Sequence, residues 1–229
     1  MRFDSSSTRP VVWQVDPERP DAAIIAVAAA VIQAGGVVIY PTETFYAIGG
    51  LPQRVEGIER IAKIKGRSPD KPFPLIAASE EDVRKAVCFW PAAAEQLARR
   101  FWPGPLTLIL PASPTLPQAL HLGSGRIAIR ISPHAVAASL VSASGGLLIA
   151  TSANISGQPA VSDPNQIDPA LLPAIDGLLR GGSTAGQKPS TIVEVNASGV
   201  RLVRSGAVPW SEIESRALDS SCEFSQDLL

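Results

Sequence analysis

Short apolar segments alternate along the chain with longer segments in which apolar residues recur at helical spacing. The first kind predicts buried strands, and the second predicts helices that cover them. Predicted strands span residues 37–40, 74–78, 106–110, 126–131, 147–150, 176–179, 191–195 and 200–204, and predicted helices span 22–32, 55–65, 79–87, 92–101 and 134–143. Because strands follow strands directly in two places, the order favours a single α/β domain with one twisted mixed β-sheet and helices around it.

The length of 229 residues suits one domain with short appendages. We expect an N-terminal extension over residues 1–19, the domain itself over 20–208 and a C-terminal tail over 209–229. The tail is acidic and sparsely apolar, so it predicts a short helix followed by a frayed end.

The composition excludes several classes of protein. An apolar fraction of 45% supports a sizeable core, and a formal net charge of −1 provides no overall field that would attract nucleic acid or an anionic membrane. The two cysteines and two histidines do not cluster as zinc ligands, so we expect no tightly bound zinc. A catalytic cysteine–histidine pair stays formally open, although Cys88 beside Phe89 and Trp90 favours a core position.

Nothing in the sequence predicts a membrane segment. The first ten residues lack the apolar stretch of a signal peptide, and the apolar run over 22–32 is too short to span a bilayer. We therefore expect a cytoplasmic protein.

Polar side chains collect at the ends of several predicted elements. The strand over 37–40 opens into Thr42-Glu43-Thr44, and the helix over 55–65 is followed by the basic segment KGRSPDK. The strand over 147–150 is followed by TSANISGQ, and QKPS precedes the strand over 191–195. Polar clusters of this kind in an α/β domain predict a ligand site, with Lys and Arg for phosphate and Ser, Thr and Asn for a small polar substrate.

Each cluster also has a purely structural interpretation. Lysines at a helix end complement the helix dipole, and Ser or Asn after a strand commonly cap turns. Arg130 on an alternating strand fits a solvated sheet face. The sequence shows no nucleophile paired with a base, which favours a reaction in which the enzyme positions two substrates and neutralises charge.

Seven motifs, in this order, resemble the YrdC-like family of threonylcarbamoyl-AMP synthases. They are YPTETFYAIGG, KIKGRSPDKP, WPGPLTLIL, RIAIRI, TSANISGQPA, PSTIVEV and VRSGA, and the resemblance covers roughly residues 20–208. It implies a twisted α/β fold with a large, positively lined cleft.

The resemblance also implies a reaction. L-Threonine, bicarbonate or CO2, and ATP would give threonylcarbamoyl-AMP and pyrophosphate, the first step towards threonylcarbamoyladenosine at position 37 of tRNA. Mg²⁺ would accompany ATP, without a dedicated protein cage. The implied partners are a tRNA threonylcarbamoyl-transferase complex that receives the product and tRNA itself as a possible contact.

Site residues follow from the resemblance position by position. Lys65 and Arg67 form the basic motif and are the implied catalytic residues. The threonine site would contain Thr44, Ser152, Ser190 and Ser132, with Arg130 on the same strand as Ser132. The ATP site would contain Arg67, Lys71, Asn154, Ser162 and Arg204.

The chain departs from the family pattern at two positions. Ala47 follows Tyr46 where the family usually has glycine; if that position requires a positive φ, alanine costs about 1 kcal/mol or reshapes the pocket. Arg180 stands where an acid is common. We expect the single-domain type of the family. The alternatives are an RNA-binding module of the same fold, or a related carbamoyl-adenylate-forming enzyme with another substrate.

Overall fold

The computed structural model describes residues 9–66, 72–197 and 199–219. Its strands are β1 (Val11–Gln14), β2 (Val38–Pro41), β3 (Tyr46–Gly49), β4 (Leu75–Ala77), β5 (Leu106–Pro111), β6 (Arg126–Ile131), β7 (Leu147–Ile149), β8 (Thr151–Ser152), β9 (Gly177–Arg180), β10 (Thr191–Asn196) and β11 (Gly199–Arg204). Its α-helices are α1 (Ala22–Gln33), α2 (Val55–Lys65), α3 (Glu80–Ala86), α4 (Ala92–Phe101), α5 (Gln118–His121), α6 (Ala135–Ala143) and α7 (Trp210–Asp219), and short 3-10 turns span Pro164–Gln166 and Pro169–Ala174.

The strands form two sheets, whereas the sequence predicted one. The first sheet has the order β1-β9-β2-β3-β8, and the second has the order β11-β10-β5-β6-β4-β7. Parallel pairs such as β10 with β5 occur beside antiparallel pairs such as β5 with β6, which confirms the mixed α/β class. The prediction of one sheet was wrong because strand order is set by long-range pairing, which local patterns do not specify.

Strand β3 was missed by the sequence analysis. It pairs antiparallel with β2 through a turn at residues 42–45, and it pairs on its other side with β8. The turn lacks the Gly, Asn or Asp that usually identifies a hairpin. The Thr42 hydroxyl stabilises it instead, by donating to the carbonyl of Phe45 and accepting from the backbone N–H of Thr44.

Both faces of strand β2 are buried. Ile39 packs into the larger hydrophobic cluster with Leu75, Leu108 and Ile129, while Tyr40 packs into a second cluster. That second cluster contains the apolar faces of α1 and α6, among them Ile25, Ala28, Ile32, Val136 and Leu140. The first sheet is therefore covered by apolar side chains on both sides, as expected for an α/β domain.

Helix boundaries agree closely with the sequence predictions. Asp21 caps α1 by accepting from the backbone of Ala23 and Ile24, and Ser79 caps α3 by accepting from Asp82. Helix α7 confirms the predicted helix in the tail, and residues 220–229 lie outside the described residues.

The residues before position 20 contribute a strand to the fold. Strand β1 lies ahead of residue 20 and pairs in parallel with β9, so this part of the predicted extension belongs to the first sheet.

The expectation that Cys88 is a core residue was wrong, because Cys88 is exposed between a buried Val87 and an exposed Phe89. Across the described residues, the helices are all too short or too polar to traverse a bilayer.

Candidate functional site

A cavity of about 820 Å³ opens where the two sheets approach each other. One wall comes from β3, β8 and the turn before β3, and the floor comes from one face of β5, β6, β10 and β11. The polar residues that line it are Thr42, Thr44, Tyr46, Thr107, Ser124, Arg126, Arg130, Thr151, Ser152, Ser190, Glu194, Arg201 and Arg204.

Strand alternation explains why so many polar side chains reach the floor. In β6, Arg126 and Arg130 line the cavity, while Ile127 and Ile129 point into the core. The sequence pattern predicted this shared face correctly.

A bulge in β11 adds further residues to the floor. Ile192 pairs with Arg204 and the next residue, Val193, pairs with Leu202, so Val203 is an extra residue in the ladder. Both Val203 and Arg204 consequently line the cavity.

The turn between β2 and β3 presents a hydroxyl acceptor. The Thr42 hydroxyl donates to the carbonyl of Phe45 over 2.7 Å, so its only proton is used. In the 3.2 Å contact between the Thr42 and Thr44 hydroxyls, Thr44 must therefore be the donor. Thr44 keeps its oxygen lone pairs for a ligand that carries an N–H or O–H group.

Ser152 is a second acceptor. Its hydroxyl donates to Oδ1 of Asn154, and the orientation of that amide is fixed because Nδ2 donates to the carbonyls of Ile155 (2.9 Å) and Gln158 (2.6 Å). Asn154 lines a smaller cavity of about 250 Å³ beside the main one rather than the main cavity itself.

Lys65 holds the loop that carries these two residues. Its side chain is buried, and Nζ donates to the carbonyl of Ser152, to the carbonyl of Asn154 over 2.6 Å and to Asn154 Oδ1 over 3.3 Å. Lys65 does not line the cavity in this structure, so its described bonds support the loop.

Ser190, in contrast, is a donor. Its oxygen accepts from the Thr107 hydroxyl over 2.9 Å and from Nη2 of Arg204 over 3.1 Å. With both lone pairs engaged, the serine O–H is the group left for a ligand.

Arg204 also donates to the carbonyl of Ser190 over 2.8 Å. Burial lowers the pKa of Arg204, and the charge of Arg130 lowers it further. A guanidinium stays charged in proteins, so this side chain favours an anion nearby.

Arg130 forms a buried ion pair beside the cavity. Its Nε donates to Oε1 of Glu43 over 2.8 Å, and the two side chains are only 6% and 11% exposed. Burial would raise the pKa of Glu43, but the charge of Arg130 and the hydrogen bond donated by Ser132 outweigh it and hold the pKa below its usual value. Ser132 is buried and lies outside the cavity lining, with its hydroxyl engaged by Glu43.

The far end of the floor combines apolar and charged groups. Glu194 lies between Arg126 (Nε to Oε1, 3.0 Å) and Arg201 (Nε to Oε2, 3.0 Å), and Ile109 and Ile192 line the surface nearby. The hydrogen bond from Arg201 lowers the pKa of Glu194, although burial opposes the shift.

The structure thus brings together only part of the site implied by the sequence. Thr44, Ser152, Ser190, Arg130 and Arg204 line one end of the cavity. The residues placed elsewhere are Lys65, Ser132, Asn154 and the half-buried Ser162, whose carbonyl accepts from Thr184. Arg67 and Lys71 lie outside the described residues.

Sequence reasoning missed several residues that the structure places at the cavity. Glu194 follows Ser190 by four residues on the same face of the chain, so alternation along β10 could have found it. Strand β5 contains no predicted site residue, so alternation gave no signal for Thr107. Glu43 was noted in its turn, but its pairing with Arg130 joins residues far apart in sequence.

Ala47 causes no backbone strain. It lies in β3 opposite Tyr40 and Ser152, and the one non-glycine residue with positive φ in the described ranges is Leu122. The strain considered for Ala47 is therefore absent, and its methyl group forms part of the cavity wall.

No metal cage is evident in the described ranges. Within them, no three His, Cys, Asp or Glu side chains come close enough to hold an ion.

Comparisons with known proteins identify relatives of the chain. The sequence model of the Sua5/YciO/YrdC family, described as "Telomere recombination", matches residues 30–206. The threonylcarbamoyl-AMP synthase of Pyrococcus abyssi is 36% identical over 190 residues, which cover 83% of this chain and 56% of that protein. A threonylcarbamoyl-AMP synthase of Xanthomonas campestris pv. campestris is 36% identical over 167 residues, covering 72% of this chain and 88% of that protein.

A solved structure shows the same fold. The crystal structure of P. abyssi Sua5 complexed with L-threonine superimposes with a TM-score of 0.85 at 35% identity, covering 90% of this chain and 60% of that chain. The present chain therefore spans little more than half the length of its P. abyssi relative. On the family match and these similarities, the chain belongs to the Sua5/YciO/YrdC family.

Proposed function

We propose that the chain is an L-threonylcarbamoyladenylate synthase. It would form threonylcarbamoyl-AMP and pyrophosphate from L-threonine, bicarbonate or CO2, and ATP. Support comes from relatives named threonylcarbamoyl-AMP synthase and from the Sua5 structure complexed with L-threonine.

The observation that carries the proposal is the hydrogen-bond polarity of one end of the cavity. Thr44 and Ser152 offer acceptors, while Ser190, Arg204 and Arg130 offer donors. L-Threonine is complementary to such a set, because its amine and hydroxyl groups donate while its carboxylate accepts.

The cavity also has room for a second substrate. A volume of about 820 Å³ lies in the upper part of the usual range for small-molecule sites. Four arginines and one glutamate are among its described lining residues, namely Arg126, Arg130, Arg201, Arg204 and Glu194. Even with Glu43 beside the cavity offsetting Arg130, the four arginines outnumber the two glutamates, and this excess of positive charge supports binding of a polyphosphate together with the amino acid.

The proposed reaction uses a nucleophile from the substrate. The threonine amine attacks the carbon of CO2 and loses a proton to give a carbamate. A carbamate oxygen then attacks the α-phosphorus of ATP, the bond from that phosphorus to the bridging oxygen breaks, and pyrophosphate leaves. Serine and threonine hydroxyls line the cavity, but none of the described lining residues is a His that could activate one of them, which fits a reaction whose nucleophile belongs to the substrate.

The chain would contribute positioning and charge. Acceptors on Thr44 and Ser152 would orient the amine, and the O–H of Ser190 would donate to a substrate oxygen. Arg204, which has no acidic partner among the described residues, would offset charge that develops during transfer.

The phosphate-binding roles of Arg67, Lys71, Asn154 and Ser162 rest on the family resemblance. Mg²⁺ would enter with ATP and neutralise phosphate charge. The product would pass, in the cytoplasm, to an enzyme complex that transfers the threonylcarbamoyl group to tRNA.

The test is to incubate the protein with ATP, Mg²⁺, bicarbonate and one amino acid at a time. We expect pyrophosphate release that requires both bicarbonate and L-threonine, and a product with the mass of threonylcarbamoyl-AMP. Pyrophosphate release that is independent of the amino acid, or no turnover combined with salt-dependent RNA binding, would refute the proposal.

A further inference from the structure

Glu43 lies beside the cavity without lining it, and both of its carboxylate oxygens are engaged. Oε1 accepts from Nε of Arg130 over 2.8 Å, and Oε2 accepts from the hydroxyl of Ser132. The pair is largely withdrawn from water, since the Arg130 and Glu43 side chains are 6% and 11% exposed. A buried carboxylate held at both oxygens fixes the position of whatever it binds.

The bond to Nε restricts how Arg130 can meet a ligand. A guanidinium can bind a carboxylate through the edge that includes Nε or through the edge formed by its two terminal nitrogens. Glu43 accepts a hydrogen bond from Nε, which belongs to the first of these edges. Arg130 lines the cavity, so the terminal nitrogens are the donors left for a substrate.

Two observations favour a carboxylate over a phosphate at this position. Glu43 offsets the charge of Arg130, so the pair suits a singly charged, planar anion, whereas Arg204 has no described acidic partner and suits a phosphate. Glu43 also lies next to Thr44, in the same turn, which places the pair at the hydroxyl-rich end of the cavity.

We propose that Glu43 is a positioning residue. Together with Ser132, it orients Arg130 so that the two terminal nitrogens bind the α-carboxylate of the amino-acid substrate. The inference rests on the proposed function and assigns Ser132 a different role from the one implied by the sequence: it holds Glu43 and does not touch the substrate.

The test compares L-threonine with L-threoninamide, which lacks the carboxylate charge. Dissociation constants for both are measured by calorimetry on the wild type and on Glu43→Gln. We expect the preference for L-threonine to fall about tenfold in the variant, which corresponds to about 1.4 kcal/mol, while KM for ATP stays within about twofold of wild type. An unchanged preference, or a rise in KM for ATP without a change in preference, would overturn the proposal.

Matched variants separate positioning from general damage. Glu194→Gln makes the same change at a carboxylate that is also held by arginines in the same cavity, and it should leave the preference for L-threonine over the amide unchanged. Ser132→Ala removes one of the two hydrogen bonds to the Glu43 carboxylate. It should lower the preference for L-threonine over the amide by a smaller factor than Glu43→Gln does. Melting temperatures of all variants show whether each is folded.

A double-mutant cycle gives the sharpest result. Arg130→Lys keeps the charge but loses the planar fork, so it should lower the preference by itself. If Glu43 acts through Arg130, adding Glu43→Gln to Arg130→Lys should change the preference by less than about twofold. Additive effects of the two substitutions would overturn the proposal.

The two proposals can fail separately. Absence of threonine-dependent pyrophosphate release by the wild type would refute the proposed function. An equal preference for the carboxylate in wild type and Glu43→Gln would refute the role of Glu43 alone.

Discussion

Replacing Lys65 by methionine should destabilise the fold as well as lower activity. The ammonium group is buried and donates to the carbonyls of Ser152 and Asn154, so methionine leaves two carbonyls without this donor. Each buried carbonyl that loses its donor costs about 1–3 kcal/mol. Methionine carries no charge, so the free-energy cost of burying the ammonium group disappears, and this offsets part of the loss.

The net effect expected from these opposing terms is a loss of about 2–4 kcal/mol in the free energy of unfolding. For a chain of this size each kcal/mol shifts the melting temperature by about 2–4 °C, so the midpoint should fall by roughly 4–16 °C. Lys63→Met is the matched control, because Lys63 is an exposed lysine in the same last turn of α2. Its effect should stay within about 0.5 kcal/mol.

The assay is thermal unfolding followed by circular dichroism, with pyrophosphate release measured well below every midpoint. We expect Lys65→Met to melt early and to be slow, and Lys63→Met to resemble the wild type in both respects. A Lys65→Met protein that melts like the wild type but has lost turnover would show that Lys65 acts on the substrate and does not hold the loop.

Four further outcomes are expected. Gly49→Ala should destabilise the protein by about 1–3 kcal/mol or more in urea unfolding, because its Cβ would lie 1.8 Å from the carbonyl oxygen of Ile149; Gly57→Ala, which meets nothing closer than 3.8 Å, should be neutral or stabilising. The lowered pKa of Glu43 means that its ionised form stabilises the fold above the ordinary value of 4.5, and that this contribution is lost as pH falls through the lowered pKa. The stability difference between wild type and Glu43→Gln should therefore shrink between pH 7 and pH 3, and a constant difference would contradict the ion pair. L-Serine should compete with L-threonine better than L-valine does, since a site that recognises a hydroxyl rejects analogues without it; equal competition by valine would count against the hydroxyl assignments. Arg67→Lys should keep the fold but lose roughly ten- to a hundredfold in adenylation rate, because a charge-assisted bond is worth about 1.5–3 kcal/mol, whereas an unchanged rate in Arg67→Ala would exclude this residue from the site.

Local patterns predicted the elements of the fold well. The caps at Asp21 and Ser79, the helices around them and the alternating strand β6 depend on neighbouring residues, so the sequence specified them directly. Strand β3 and the division into two sheets depend on pairing between distant segments. The turn before β3 also relies on hydrogen bonds donated and accepted by the Thr42 hydroxyl and not on a recognisable turn residue.

The sequence predicts which residue types collect at the candidate site, and the roles assigned to them stay predictions. Thr44, Ser152, Ser190 and Arg204 follow strand ends or turns, and the fold brings them to one cavity. The roles of Lys65 and Ser132 depend on which partner each side chain meets in space. Nothing in the segments around them shows that one supports a loop and the other holds Glu43.

The central claim is that the carbon of bicarbonate becomes bonded, through oxygen, to the α-phosphorus of ATP. It can be tested most directly by incubating the wild type with ¹³C-bicarbonate, L-threonine, ATP and Mg²⁺ and recording ¹³C spectra of the product. We predict a carbonyl signal from the label that shows coupling to phosphorus. An adenylate without ¹³C, in which threonine is joined to phosphorus through its own carboxylate, would contradict the account.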